Sequence, residues 1–226
     1  MKKLLSILLL SALSVTAFAQ CNQYYVLKKG TAWEFSNFNS KGKLESKTMQ
    51  KVTEYKETSG GFEATIEIVT EDDKGEQVMG GSTKLICENG VMLFDLKDVM
   101  SAETMEAYKN FDMSVDGINL EIPDNLKVDQ ELKDAEMNIH IEASPMQVNL
   151  KFTITDRKVL AEENLKVPAG SFDCFKITQK VSMKMMMMVE SISTEWYARE
   201  VGMIKSESYN KKGKLMSYSL LTAYSK

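Results

Sequence analysis

Histidine is almost missing from this sequence: His140 stands alone among 226 residues. A Ser-His-Asp triad would have to use that one imidazole, and no nucleophile-elbow pattern accompanies it. His140 also falls on the polar side of an alternating segment, where a solvent-facing position is expected. Zinc needs several His or Cys at close spacing, which one His and three scattered cysteines do not supply. A strong excess of one charge is missing too. Against 28 Lys and Arg stand 32 Asp and Glu, interspersed and without a basic stripe, so no nucleic-acid partner is implied. Proline is scarce at three residues, and with 43% hydrophobic and 27% charged residues the composition is globular.

Carboxylates are plentiful but not arranged for work. Asp72-Asp73 precedes Lys74-Gly75 and reads as a turn, while Asp95 and Asp98 form a pair on paper only. A glycosidase needs two carboxylates converging in a cleft. A calcium loop needs alternating Asp or Asn with a Gly and a distant Glu. Neither pattern occurs, so no catalytic, cofactor or metal residue is assigned.

Long apolar runs are also absent, except at the start. Lys2-Lys3 is followed by an apolar stretch from Leu4 to Leu13 and then by Ala17-Phe18-Ala19. A charged region, a short apolar core and an Ala-x-Ala site make a secretory signal peptide, cleaved after Ala19. The run is too short for a membrane span, and no later stretch qualifies. Residues 1–19 are therefore a cleaved signal and residues 20–226 a single exported domain, periplasmic or secreted. Lipid attachment at Cys21 is disfavoured, because Gln20 stands where a lipoprotein signal wants a small residue.

Export permits a disulfide, and Cys21, Cys87 and Cys174 allow three single bridges with one thiol left over. The spacing does not choose among them.

Apolar and polar residues alternate in many segments: Phe62-Ala64-Ile66-Ile68, Met137-Ile139-Ile141, Val148-Leu150-Phe152-Ile154 and Phe175-Ile177-Val181-Met183 each share a face. The period is two, which means strands with one dry face. Asn89-Gly90 between two apolar runs is a hairpin signal, and Lys41-Gly42, Lys74-Gly75 and Lys212-Gly213 mark further turns. Phe38–Leu44 is echoed by Tyr209–Leu215, more simply a shared turn than a duplicated unit. Ser101 to Asn110 reads as one short helix, with Ser101 as its cap and Met105 and Tyr108 on one side. The expected fold is all-β: a curled antiparallel sheet, a half-barrel or open barrel, with one short inserted helix.

Met183-Lys184-Met185-Met186-Met187-Met188 is the most unusual segment. Thioethers select Cu(I), but metal loops interleave Met with His or Asp. If the strand from Phe175 continues, Met183, Met185 and Met187 join its apolar face as core. The alternative is an apolar contact surface for a ligand or partner.

Several of these stretches together carry a family resemblance. They are Cys21 with Tyr24-Tyr25, Lys28–Glu34, Cys87-Glu88-Asn89-Gly90, Asp156-Arg157-Lys158-Val159, Val167–Ile177, Glu195-Trp196-Tyr197, Val201–Lys205 and Gly213-Lys214-Leu215. The chain resembles the TapB-like family of exported bacterial proteins of unknown function. That resemblance implies a secreted or periplasmic β-sheet domain, and no reaction and no site residues.

The functional expectation is a non-enzymatic envelope protein whose curved sheet binds an apolar small molecule, a lipid or a protein segment. The rival is an assembly module that binds other envelope proteins through a sheet edge.

Overall fold

A computed structural model describes residues 21–95, 112–143, 146–184 and 187–226. Its strands are β1 (Ala32–Asn39), β2 (Leu44–Thr58), β3 (Gly61–Asp72), β4 (Gln77–Glu88), β5 (Val91–Phe94), β6 (Asp112–Ile118) and β7 (Leu120–Pro123). They continue with β8 (Ala135–Ala143), β9 (Met146–Val167), β10 (Gly170–Lys184), β11 (Met188–Ala198), β12 (Gly202–Asn210) and β13 (Leu215–Ser225). All thirteen belong to one antiparallel sheet in the order β6-β8-β9-β10-β11-β12-β13-β1-β2-β3-β4-β5-β7. The sheet curls into a nearly closed, barrel-like form. The all-β, curled-sheet expectation holds. The helix expected over Ser101–Asn110 lies outside the described residues, and no helix occurs among those described.

Two short strands account for the near-closure. β6 pairs with β8, while β7 pairs with β5, and only Asn119 separates them. Both edges of the sheet thus belong to the stretch 112–123. A long exposed edge would invite pairing with other chains; here one edge strand has four residues and the other seven.

Local turn chemistry sets the hairpins. Asn89 and Gly90 both have positive φ, 50° and 86°, the backbone of a type I′ turn that matches the twist of its strands. The Asn39 side chain accepts from the amides of Lys41 and Lys43, and Asn210 repeats this with Lys212 and Lys214. Asp72 does the same with Lys74 and Glu76. A third copy, on a hairpin that lacks the flanking likeness, explains the echo as a shared turn.

One end of the barrel is plugged by the N-terminal segment. Cys21 is disulfide-bonded to Cys87, with Cα atoms 6.2 Å apart. Asn22 is fully buried and donates to the carbonyls of Gly90 and Ile122, both at 3.1 Å. The carbonyl of Gln23 accepts from the Glu200 amide at 2.7 Å, on the far wall. Tyr24, Tyr25 and Leu27 are then buried beneath the strands. Gly202 makes this possible: at φ 88° a Cβ there would lie 2.3 Å from the Tyr25 ring. The main core surrounds this plug, and a smaller cluster of Ala135, Met137, Ile139, Ile141 and Ile154 lies on β8 and β9.

Candidate functional site

Above the plug lies a cavity of about 290 Å³ that is partly open to solvent. Tyr25 contributes from the plug, and the walls include Trp33, Phe35, Ile66, Ile68, Leu85 and Phe94. Strand alternation puts them there, since each belongs to the dry face of its strand. Glu195, Gln50 and Thr83 are the polar exceptions.

Glu195 ends a buried polar relay. Its carboxylate accepts from Tyr197 Oη at 2.7 Å, from Gln179 Nε2 at 2.9 Å and from Ser193 Oγ at 3.2 Å. Gln179 accepts in turn from Arg157 Nε at 3.1 Å. Arg157 is 2% exposed and donates also to the carbonyls of Lys133, at 2.6 Å, and Glu121, at 3.0 Å. A buried guanidinium is costly unless its donors are met and a countercharge is near. Here carbonyls meet the donors and Glu195 supplies the charge through Gln179. The backbone aims these groups inward by a bulge: Lys158 and Thr155 face Thr178 and Lys180, leaving Asp156-Arg157 opposite Gln179. Asp156 takes φ 53° to allow it. Burial lowers the Arg157 pKa from its ordinary value, and burial followed by the Glu195 charge raises that of Tyr197.

The inner face changes character along the barrel. Next to the plug, Phe175, Tyr197 and Met203 are cross-strand partners, as are Leu221 and Phe35. Farther from the plug, Glu195, Ser206, Ser219, Asn37 and Ser46 form one row of partners. Beyond it, Ser193, Ser208 and Ser217 form another. Asn37 Nδ2 donates to Ser46 and Thr48, both at 3.0 Å, and its Oδ1 accepts from Ser219 at 2.6 Å. Sequence reasoning passed over these residues and gave no role to the relay, although Arg157, Glu195 and Tyr197 stand in stretches that carry the family resemblance. The available signal was Ser-x-Ser on three neighbouring strands, at Ser191/Ser193, Ser206/Ser208 and Ser217/Ser219.

The residues singled out in the sequence lie elsewhere. Cys174 is a free, buried thiol whose Sγ donates to the Glu163 carbonyl at 3.2 Å, and burial pushes its pKa up to about 11. β10 ends at Lys184, which pairs with Met188 across a hairpin, so the alternation from Phe175 stops there. Met183 is 42% exposed and Met187 79%, which removes both from the core that strand continuation implied. Met185 lies outside the described residues. His140 sits between Asn149 and Glu142, 3.3 Å from the latter. Asp72 serves its turn and Asp73 pairs with Lys43 at 3.1 Å, so the two acidic neighbours do not converge.

A family model described as DUF3108-like matches residues 28–221. The chain belongs to the DUF3108-like family. The match does not carry the TapB-like name suggested by the sequence. No curated protein matches this DUF3108-like chain. Two solved structures share its fold. One, from Bacteroides fragilis, is provisionally described as an exported protein with a YmcC-like fold. It is 23% identical, covers 91% of this chain and 100% of its own, and has a TM-score of 0.71. The other, from Parabacteroides distasonis, is provisionally described as a lipoprotein. It is 25% identical with the same coverage and a TM-score of 0.72.

Proposed function

We propose that this protein is a non-enzymatic extracytoplasmic binding protein that holds an apolar molecule inside its barrel. The observation that carries this reading is the apolar cavity above Tyr25, about 290 Å³ and at the lower end of small-molecule pockets. Relatives described as exported and as a lipoprotein support an extracytoplasmic site of action. Cleavage after Ala19 and the TapB-like kinship belong to this reading. A lipid anchor at Cys21 is disfavoured in this reading, because a Cys21 sulfur bonded to Cys87 has no valence left for a diacylglyceryl thioether.

The test is titration of the mature protein with N-phenyl-1-naphthylamine, a neutral fluorescent apolar probe. One site is expected, and Ile68→Trp, which fills the cavity from its wall, abolishes the signal while the fold persists. No saturable binding to the unaltered protein overturns the reading.

A second reading rests on the β10–β11 tip. Met183, Met187, Met188 and Val189 are 42%, 79%, 60% and 61% exposed, a cluster suited to apolar contact with another envelope protein. A photo-crosslinker at position 188 should capture a defined partner in the native envelope, and no adduct there counts against this surface.

A further inference from the structure

Deepening the reading of the lumen as an apolar-ligand site, on which it rests, we propose that the ligand is a single-tailed amphiphile. Its tail lies in the cavity above Tyr25, and its uncharged, hydroxyl-rich head lies against the wall of Asn37, Ser193, Ser206, Ser208, Ser217 and Ser219. The polarity change occurs within single strands. β11 presents Tyr197, then Glu195 and Ser193; β13 presents Leu221, then Ser219 and Ser217; β1 presents Phe35, then Asn37. These side chains share one face of one sheet, because cross-strand partners lie on the same side. The boundary therefore falls at one height across β11, β12, β13 and β1, as an amphiphile lying along that wall requires.

The wall has hydrogen-bonding capacity to give. Ser206, Ser208 and Ser217 are half-buried, and their hydroxyls have no hydrogen-bond partner among the described residues. None of the three hydroxyls is sealed from solvent, so each keeps contact with water and is open to a polar group that displaces it. Three of them in adjacent rows make a surface that is satisfied by something polar entering the lumen. A charged head fits poorly. Glu195 repels an anion, and its carboxylate already accepts three hydrogen bonds from Tyr197, Gln179 and Ser193. It is also the countercharge of Arg157, so a cationic head would compete for a charge already committed. Hydroxyls, which both donate and accept, match a polyol or a sugar, and Asn37 orders that wall by its bonds to Ser46, Thr48 and Ser219.

The experiment compares four ligands with the same dodecyl tail below their aggregation concentrations: the maltoside, the primary alcohol, the carboxylate and the trimethylammonium salt. Calorimetry with the mature protein should give at least tenfold tighter binding for the maltoside than for the other three. Asn37→Leu and the triple change Ser206→Ala, Ser208→Ala, Ser217→Ala should erase that preference. Dodecanol affinity should then stay within about twofold, which shows that the variants remain folded. Equal affinity for all four ligands overturns the head-group assignment, with the wall serving water alone, and leaves the apolar cavity standing. Tightest binding of the ammonium also overturns it and makes Glu195 the recognition group. No binding of any of the four overturns both this inference and the reading beneath it.

Discussion

The inner faces of β11, β12, β13 and β1 differ sharply between the plugged end and the region beyond it. Next to the plug they carry Tyr197, Met203, Leu221 and Phe35, three of them buried and packed on Trp33 and Tyr25. Farther along, the same strands in the same pairing carry Ser193, Ser208, Ser217 and Asn37. The strands stay paired through both zones, with bulges in each, at Glu34/Phe35 and Trp196/Tyr197 and again at Asn37/Phe38 and Ser208/Tyr209, so the sharper difference lies in the side chains. The plugged zone holds the fold together. The hydroxyl zone buries no comparable apolar side chain, and its residues need another explanation.

That contrast can be broken from either side. The largest effect is expected from Phe35→Ala, which removes a buried aromatic from the plugged zone and should cost about 3–5 kcal/mol in urea unfolding. Next comes Cys87→Ser. Opening a bridge that spans 66 residues should cost roughly 4 kcal/mol on the chain-entropy model, and it should release the N-terminal segment to proteolysis. Gln179→Leu leaves the Arg157 Nε–H buried without its acceptor and separates that charge from Glu195. About 1.5–3 kcal/mol is the expected loss.

Titration sharpens the same comparison. Burial holds the phenols of Tyr25 and Tyr197 above their ordinary value, so the unfolded chain loses these protons first, near pH 10. Folding stability should be level below about pH 10 and fall as pH rises beyond it, a trend that unfolding midpoints measured at pH 8, 9, 10 and 11 would show. The smallest effect belongs to the hydroxyl zone: Ser217→Ala should shift stability by no more than about 0.5 kcal/mol. A loss above 2 kcal/mol there would mean that the wall is structural.

Much of the fold was legible because alternation survives wherever one face of a strand is dry. Phe62, Ala64 and Ile66 are buried as their period suggested, and Asn89-Gly90 makes its hairpin. The Met-rich tip escaped because it turns without Gly, Asn or Pro, so nothing in it signals the end of β10. Arg157 escaped because an arginine in an extended segment reads as solvent-facing. Only the bulge opposite Gln179 turns it inward, and a bulge leaves no mark on residue type. The plug escaped for a different reason. Cys21 through Leu27 has no period of its own, and its burial depends on turns far away in the chain, at Gly60, Gly90 and Glu200. The serine rows are visible only when three strands are set side by side, since each Ser-x-Ser alone is an ordinary wet face.

The account's central claim is that the lumen carries a ligand in the native envelope. Native mass spectrometry of the protein isolated from its own envelope under mild conditions tests it most directly. The account predicts a one-to-one adduct that dissociates on activation as an uncharged amphiphile, and that is missing from Ile68→Trp. A bare polypeptide mass for the unaltered protein, or the same adduct on Ile68→Trp, would contradict it.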